Sequence, residues 1–261
     1  MNPDTRLAII GGSGLYQPSM LTETTEVEVK TPYGSIRPLL GRSGERRVAF
    51  LARHGRDHSV LPHQVNYRAN LWGLKELGVQ RILAVTAVGS LNREIGPGSL
   101  VLLDQFLDFT KQRPLTFFEQ GNVHRAHVDV SFPYCPELRE AVKRAASNRG
   151  FELHDGGCYV CAEGPRYETA AEIRMYRMLG GDVVGMTGVP EVVLARELGI
   201  CYSGISVVTN WAAGIQPEAL AHADVVKLMA ENQSRIIDLI GACLGLIAAE
   251  RGCECSRNGE G

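Results

Sequence analysis

The sequence lacks the features that direct a protein to nucleic acid, a membrane or the secretory pathway. Its 261 residues carry a formal net charge of only −2 with no run of lysine or arginine, so no nucleic-acid partner is expected. No apolar stretch is long enough to span a bilayer. An apolar segment and a glycine-rich loop follow residues 1–4 at once, which argues against a signal peptide. We therefore expect a cytoplasmic protein.

Metal and disulfide signatures are also weak. The seven cysteines are scattered, which is typical of buried thiols in a reducing cytosol. Cys158 and Cys161 have the spacing of half a zinc site, but no second pair follows at finger spacing, so no metal is expected. Cys253 and Cys255 lie in a polar tail and are either redox-active or simply exposed.

Alternating strand and helix patterns predict an α/β fold. With 44% hydrophobic residues, the chain can bury a large core in a single domain with a central mixed β-sheet flanked by helices. No linker divides it, so we expect one domain over residues 1–251 and a disordered tail over residues 252–261. The predicted strands cover residues 7–10, 48–52, 81–85, 100–104, 157–161, 182–186 and 201–209, and the predicted helices cover residues 66–77, 137–149, 170–179, 191–198 and 223–249.

Several of these strands end in polar or glycine-rich turns, where ligands of open α/β sheets bind. The Gly-Gly-Ser-Gly loop at residues 11–14 offers backbone N–H groups and the Ser13 hydroxyl to an anion, although by itself it also fits a tight turn. Arg53 adds a planar cation, and His54 and His58 are expected to add donors. Other predicted phosphate ligands at strand ends are Thr86, Ala87 and Thr187. No Walker lysine or acidic cluster offers magnesium, so inorganic phosphate is expected rather than ATP.

A second group of residues suits a flat heterocycle. The turn at Gly164 and Pro165 is followed by the aromatic Tyr167 and the carboxylate Glu168, while Asn210 closes an apolar strand. An aromatic face, a carboxylate and an amide can hold a base and bond its edge.

Together these motifs resemble the trimeric nucleoside phosphorylases, a family of purine nucleoside and methylthioadenosine phosphorylases. The resemblance runs from about residue 7 to residue 249, with motif order and spacing kept. It is carried by Ile10-Gly11-Gly12-Ser13-Gly14-Leu15, Lys30-Thr31-Pro32-Tyr33-Gly34, Arg53-His54-Gly55-Arg56-Asp57-His58, Val65-Asn66-Tyr67-Arg68-Ala69-Asn70, Thr86-Ala87-Val88-Gly89-Ser90-Leu91, Glu163-Gly164-Pro165-Arg166-Tyr167-Glu168-Thr169 and Gly185-Met186-Thr187 to Pro190-Glu191. It implies a homotrimer, sometimes paired into a hexamer, that salvages purines with phosphate as co-substrate and no cofactor.

The resemblance also implies roles for particular residues. Phosphate contacts Ser13, Arg53, His54, Thr86, Ala87 and Thr187, and the nucleoside contacts Tyr167, Met186, Asn210, Trp211, Ala212, His222 and His127. Met186 would lie against the ribose, and a neighbouring subunit would lend His127, which otherwise reads as a surface loop histidine. His222 would meet a 5′-hydroxyl, with an exposed histidine as the alternative.

The sequence departs from the methylthioadenosine branch at the base pocket. Those enzymes typically carry Ser at position 168 and Asp at positions 210 and 212, whereas this chain has Glu168, Asn210 and Ala212. An Asn can donate to O6 and accept from N7–H, and Glu168 can accept from N1–H, which adenine lacks. Glu168 and Asn210 are therefore the expected catalytic pair for phosphorolysis of inosine and guanosine.

Three other functions remain open at this point. They are a methylthioinosine or methylthioadenosine phosphorylase, a dinucleotide-dependent oxidoreductase using the loop at residues 11–14, and a non-catalytic nucleoside-binding module. The loop lacks the third glycine of the dinucleotide fingerprint.

Overall fold

Apolar segments of the chain form one large mixed sheet. A computed structural model describes residues 5–16, 18–119, 127–216 and 222–259, without the side chains of residues 222–224 and 258–259. The strands are Leu7–Gly11 (β1), Thr22–Glu26 (β2), Val29–Thr31 (β3), Gly34–Ile36 (β4), Leu39–Ser43 (β5), Arg46–Ala52 (β6), Arg81–Ser90 (β7), Leu100–Leu102 (β8), Gln105–Phe109 (β9), His154–Asp155 (β10), Cys158–Ala162 (β11), Val183–Gly185 (β12) and Cys201–Trp211 (β13). The helices are Tyr67–Glu76 (α1), Pro136–Arg149 (α2), Ala170–Met178 (α3), Gly188–Glu197 (α4) and His222–Leu246 (α5), with short 3-10 turns at Pro62–Gln64 and Glu254–Gly259.

Eleven strands form the sheet, in the order β10-β8-β13-β7-β1-β6-β5-β2 with β12, β11 and β9 branching from β7. Strand β1 pairs in parallel with β6 and β7, and β13 pairs in parallel with β7. Antiparallel pairs join β8 to β13, β12 to β7, and β5 to both β6 and β2. The predicted single-domain α/β fold with a central mixed sheet is confirmed.

The central strands are longer than the sequence indicated. The apolar run in β7 was expected to end at residue 85, but the strand continues through Thr86 to Ser90 because β12 and β13 both pair with its far end. Thr86 and Ala87 therefore sit within a strand rather than in a turn after it.

Local sequence signals explain several helix ends. Thr169 and Glu172 form a capping box at the start of α3, each side chain bonding the other residue's backbone N–H. Asn66 caps α1 by accepting from the Ala69 N–H, and Gly150 ends α2 with a left-handed φ of 66°. Across the described residues, no helix is long and apolar enough to cross a membrane.

The C-terminal segment differs from the expected disordered tail. The 3-10 turn Glu254–Gly259 packs Cys255 into the core, where it is 3% exposed. The polar composition of the segment concealed this, because one apolar thiol anchors an otherwise solvated turn. Strands β2 to β5 were also missed, since all residues of β2 are exposed and no apolar alternation marks it.

Candidate active site

Most of the predicted ligand-binding residues line one cavity of about 370 Å³. They come from the loop after β1, the end of β6, the middle of β7, the segments before α3 and α4, and the end of β13. The predicted residues on its wall are Ser13, Arg53, His54, Thr86, Ala87, Tyr167, Glu168, Met186, Thr187, Asn210 and Ala212. His58 lines it as well. The topology brings these segments together because β1, β6, β7 and β13 run in parallel and deliver their carboxyl ends to one edge.

The glycine-rich loop approaches the arginine of the cavity closely. A Cβ atom on Gly12 would lie 3.0 Å from Arg53 Nη1 and 2.6 Å from the Val85 carbonyl oxygen, so only glycine fits there. Arg53 is held from the other side by its own backbone N–H, which donates to the Gly11 carbonyl over 3.0 Å. The glycine-rich loop and Arg53 therefore fix each other's position.

Arg53 is fixed by a buried carboxylate. Its Nε and Nη2 donate to the two oxygens of Glu191 over 2.7 and 2.6 Å, and its Nη1 donates to the Val85 carbonyl over 2.9 Å. Tyr202 donates its hydroxyl to the same carboxylate over 2.7 Å. Burial acts to lower the pKa of Arg53, but the charge and the hydrogen bonds of Glu191, with smaller contributions from Tyr202 and Tyr67, together outweigh it and the pKa lies above its ordinary value. These contacts use three of the five N–H donors of the guanidinium, whose side chain is fully buried.

His54 donates from one ring nitrogen to a backbone carbonyl, which leaves its other ring nitrogen as an acceptor. Its Nδ1 lies 2.8 Å from the Val60 carbonyl oxygen, which can only accept, so Nδ1 carries the proton and Nε2 has the lone pair. Burial, with the nearby charge of Arg53, lowers the pKa of His54 from 6.5 to about 4. The imidazole is therefore neutral at pH 7 and suits the O–H of a protonated phosphate.

Glu168 brings an uncompensated acceptor to the cavity wall. The residue is 9% exposed, and its Oε1 is buried without a hydrogen-bond partner among the described residues. Burial raises the pKa of this carboxyl, with backbone hydrogen bonding acting against the shift. A buried carboxylate oxygen without a donor is costly in an isolated protein, and a ligand N–H relieves that cost.

A β-bulge presents Asn210 to the cavity. In the pairing of β13 with β7, Val208 lies opposite Val88 and Asn210 opposite Gly89, so Thr209 is the extra residue. Thr209 Oγ1 donates to Asn210 Oδ1 and Asn210 Nδ2 donates to the Trp211 carbonyl, each over 2.8 Å. A Cβ on Gly89 would lie 3.1 Å from Asn210 Nδ2, so glycine leaves the amide room. One N–H and one lone pair of a fixed amide remain for a ligand.

Three predicted substrate contacts are not brought to this cavity. Trp211 does not line it, because side chains alternate along a strand and its ring instead packs beside Gly96. His127 is exposed and does not line the cavity of its own chain, so a role in a neighbouring subunit stays a prediction. The side chain of His222, at the start of α5, lies outside the described residues.

Sequence reasoning missed the apolar part of the cavity and the support behind Arg53. Val60, Leu61, Pro62 and Val225 line the cavity, but nothing distinguishes them from ordinary core or loop residues in the sequence. The sequence did contain an indication that Glu191 is paired with a cation. Glu191 is a carboxylate inside the apolar run from Val189 to Leu194, where burial demands a cationic partner.

Comparison with known proteins identifies the family of the chain. The model of the phosphorylase superfamily matches residues 6–245. A 6-oxopurine nucleoside phosphorylase of Pyrococcus furiosus is 53% identical over 255 residues, 96% of each chain, and a probable S-methyl-5′-thioinosine phosphorylase of Methanopyrus kandleri is 49% identical over 258 residues, 98% of each. A crystal structure of a methylthioadenosine phosphorylase from an Antarctic soil metagenomic library superposes with a TM-score of 0.91 at 39% identity, covering 98% of this chain and 91% of that chain. The chain belongs to the phosphorylase superfamily.

Proposed function

We propose that this enzyme is a purine nucleoside phosphorylase, a pentosyltransferase that splits 6-oxopurine ribonucleosides with inorganic phosphate into free base and ribose 1-phosphate, as in purine salvage. The observation that carries the choice of base is the buried, unpartnered Oε1 of Glu168 in the same cavity as the fixed amide of Asn210. Hypoxanthine and guanine offer an N1–H to that oxygen, whereas adenine offers a lone pair and leaves it unpaired. The Pyrococcus relative with 53% identity is named for this substrate class.

The chemistry follows from the two halves of the cavity. Phosphate held by Ser13, Arg53 and Thr187 attacks C1′ while the C1′–N9 bond breaks, so the sugar passes through a cation-like state beside the anion. The departing purine takes the bonding electrons. As charge builds on the base, N7 takes up a proton from solvent; Asn210 then donates to O6 and accepts from the new N7–H, while Glu168 anchors N1. The reaction needs no protein nucleophile, metal or organic cofactor.

A methylthioinosine phosphorylase is the second candidate. Val60, Leu61, Pro62 and Val225 give the cavity an apolar part that suits a methylthio group, and a relative with 49% identity carries that name. Both candidates share the 6-oxopurine contacts of Glu168 and Asn210. Their substrates differ only in the substituent at the 5′ position of the ribose.

One spectrophotometric panel tests both. Base release is followed with inosine, guanosine, adenosine, methylthioinosine and methylthioadenosine, each with and without phosphate. We expect phosphate-dependent release from inosine and guanosine and little from the two 6-amino nucleosides. Release that needs no phosphate, or a preference for adenosine, contradicts the proposal. A methylthioinosine rate above the inosine rate favours the second candidate.

The proposal includes a homotrimer, alone or paired into a hexamer, in the cytoplasm. The seven free thiols support a reducing compartment. Near the exposed His127, the Phe132 side chain is 80% exposed, and burial between subunits would cover such a large apolar surface. Light scattering gives the subunit count. If His127 serves a neighbouring site, His127→Ala raises KM for nucleoside without changing that count.

A further inference from the structure

Four cysteines from separate parts of the chain meet at the edge of the sheet opposite to the candidate active site. Cys135 precedes α2, Cys201 begins β13, and Cys253 and Cys255 belong to the C-terminal segment. All four Sγ atoms lie within 4.8 Å of one another, and all four thiols are free. Asn210 lies near the other end of β13, roughly 30 Å along the strand from Cys201. The cluster is therefore separate from the catalytic machinery.

The spacing of the sulfurs fits four ligands around one ion. Cys253 Sγ lies 3.6 Å from Cys135 Sγ and 3.3 Å from Cys201 Sγ. A disulfide requires about 2.05 Å and uses each sulfur once. Thiolates around zinc, at about 2.3 Å from the metal in a tetrahedron, lie about 3.8 Å from one another. Cys253 Sγ contacts two other sulfurs, and the fourth lies within 4.8 Å of all of them. This arrangement fits four ligands in a tetrahedron better than it fits two disulfide-bonded pairs.

The surroundings of the cluster favour a cation. Cys135, Cys201 and Cys255 are buried and Cys253 is half-buried, so water cannot stabilise several thiolates there. A divalent ion replaces the thiol protons as it binds, and its charge stabilises thiolates that this buried position would otherwise disfavour.

We propose that Cys135, Cys201, Cys253 and Cys255 form a structural site for one soft divalent metal ion of the zinc class. Four protein thiolates fill the tetrahedral coordination, so no position is open for substrate and the ion has a structural role. It joins the C-terminal segment to α2 and to the start of β13. The thiol protons are released to solvent when the ion binds, and no sulfur is oxidised. Spacing rules for zinc sites miss it because only Cys253 and Cys255 are close in sequence.

Metal content of the full-length enzyme, purified anaerobically without added reductant, tests the proposal. We expect about one zinc ion per chain by mass spectrometry of the elements. Replacement by Co²⁺ then gives the thiolate-to-cobalt charge-transfer bands and the visible bands of a tetrahedral site. After denaturation without reductant but with chelator, all seven cysteines react with an alkylating agent.

Substitution of single cysteines locates the ion. Cys253→Ser removes the half-buried ligand, and we expect the metal content to fall at least tenfold while circular dichroism stays that of a folded protein. Cys158→Ser is the matched control, because Cys158 is also half-buried but lies outside the cluster. It keeps one ion per chain. If Cys253→Ser does not fold, cobalt spectra and thiol counts of the unaltered enzyme decide alone.

Two outcomes overturn the proposal. One is an enzyme grown with ample zinc that contains no metal and binds neither Zn²⁺ nor Co²⁺ at micromolar concentration. The other is a count of only three reactive cysteines out of seven, which shows that the four thiols of the cluster are joined as disulfides. Neither outcome bears on phosphorolysis, because the ligands lie at the far edge of the sheet.

Discussion

Replacing Glu168 with Gln tests two effects of the buried carboxylate: its contribution to catalysis with inosine and its effect on the stability of the folded protein. The carboxylate keeps a full charge for N1–H of the purine, whereas the amide offers a neutral acceptor of the same shape. Hydrogen bonds to a charged partner contribute about 1–1.5 kcal/mol more than neutral ones, so kcat/KM for inosine should fall about tenfold. The amide can also donate to N1 of adenine, so activity with adenosine should hold or rise. The ratio of kcat/KM for inosine to kcat/KM for adenosine should therefore fall at least about tenfold.

The same substitution should stabilise the protein without ligand. Oε1 of Glu168 is buried without a partner, and burial raises the pKa of the carboxyl above 4.5. The folded protein therefore binds a proton more readily than the unfolded chain, and stability is lost as pH rises through that window. At pH 7 we expect Glu168→Gln to raise the free energy of unfolding by about 1 kcal/mol. The gain should shrink as pH falls toward 4.5.

Steady-state kinetics with inosine and adenosine, and urea unfolding at several pH values, measure both effects. Glu76→Gln is the control, because Glu76 lies exposed near the end of α1, and it should change neither. An inosine kcat/KM within twofold of the unaltered enzyme, together with unchanged or reduced stability at pH 7, would refute the reasoning.

Three further predictions concern the rest of the cavity. Asn210→Asp should shift preference from inosine toward adenosine, with loss of total activity because the new carboxylate faces the Trp211 carbonyl at the place of a 2.8 Å hydrogen bond. An unchanged substrate ratio argues against base selection by this residue. Glu191→Gln should raise KM for phosphate more than KM for inosine, because Arg53 loses the carboxylate that fixes its guanidinium on two N–H bonds, and the misplaced donors outweigh the gain in net positive charge; equal effects on both would mean a general loss of fold. The lowered pKa of His54, about 4 against 6.5, means that the unfolded chain takes up the proton first as pH falls, so the free energy of unfolding should drop by about 2 kcal/mol between pH 7 and pH 5. A His54→Gln variant with the same pH dependence would contradict this.

The sequence predicted the parts of the site that are encoded locally. The glycine loop, the residues after the Gly-Pro turn and the helix limits all depend on short motifs, and each appears near its expected position. Asn210 was also recognised, although the sequence placed it just beyond a strand. Its actual position depends on a bulge that only the pairing of β13 with β7 creates.

The remaining features depend on contacts between distant segments. The acceptor character of His54 comes from the Val60 carbonyl, and the fixation of Arg53 comes from Glu191 on α4. The direction of the Trp211 side chain could not be predicted, because strand alternation after a bulge cannot be counted without knowing where the bulge lies. The C-terminal segment was misassigned because Cys255 finds Cys135 and Cys201 only in three dimensions.

The charges around the phosphate half suggest how binding and release are balanced. Arg53 is the only lysine or arginine on the cavity wall within the described residues, and Glu191 neutralises it at 2.6 Å. His54 is neutral, so a phosphate dianion meets little net positive charge and must be bound by directed N–H and O–H donors. Such donors stabilise the charge distribution of the transition state, in which the phosphate approaches C1′ of the sugar. A stronger net cation would hold phosphate and ribose 1-phosphate more tightly in the ground state, which lowers KM without raising kcat.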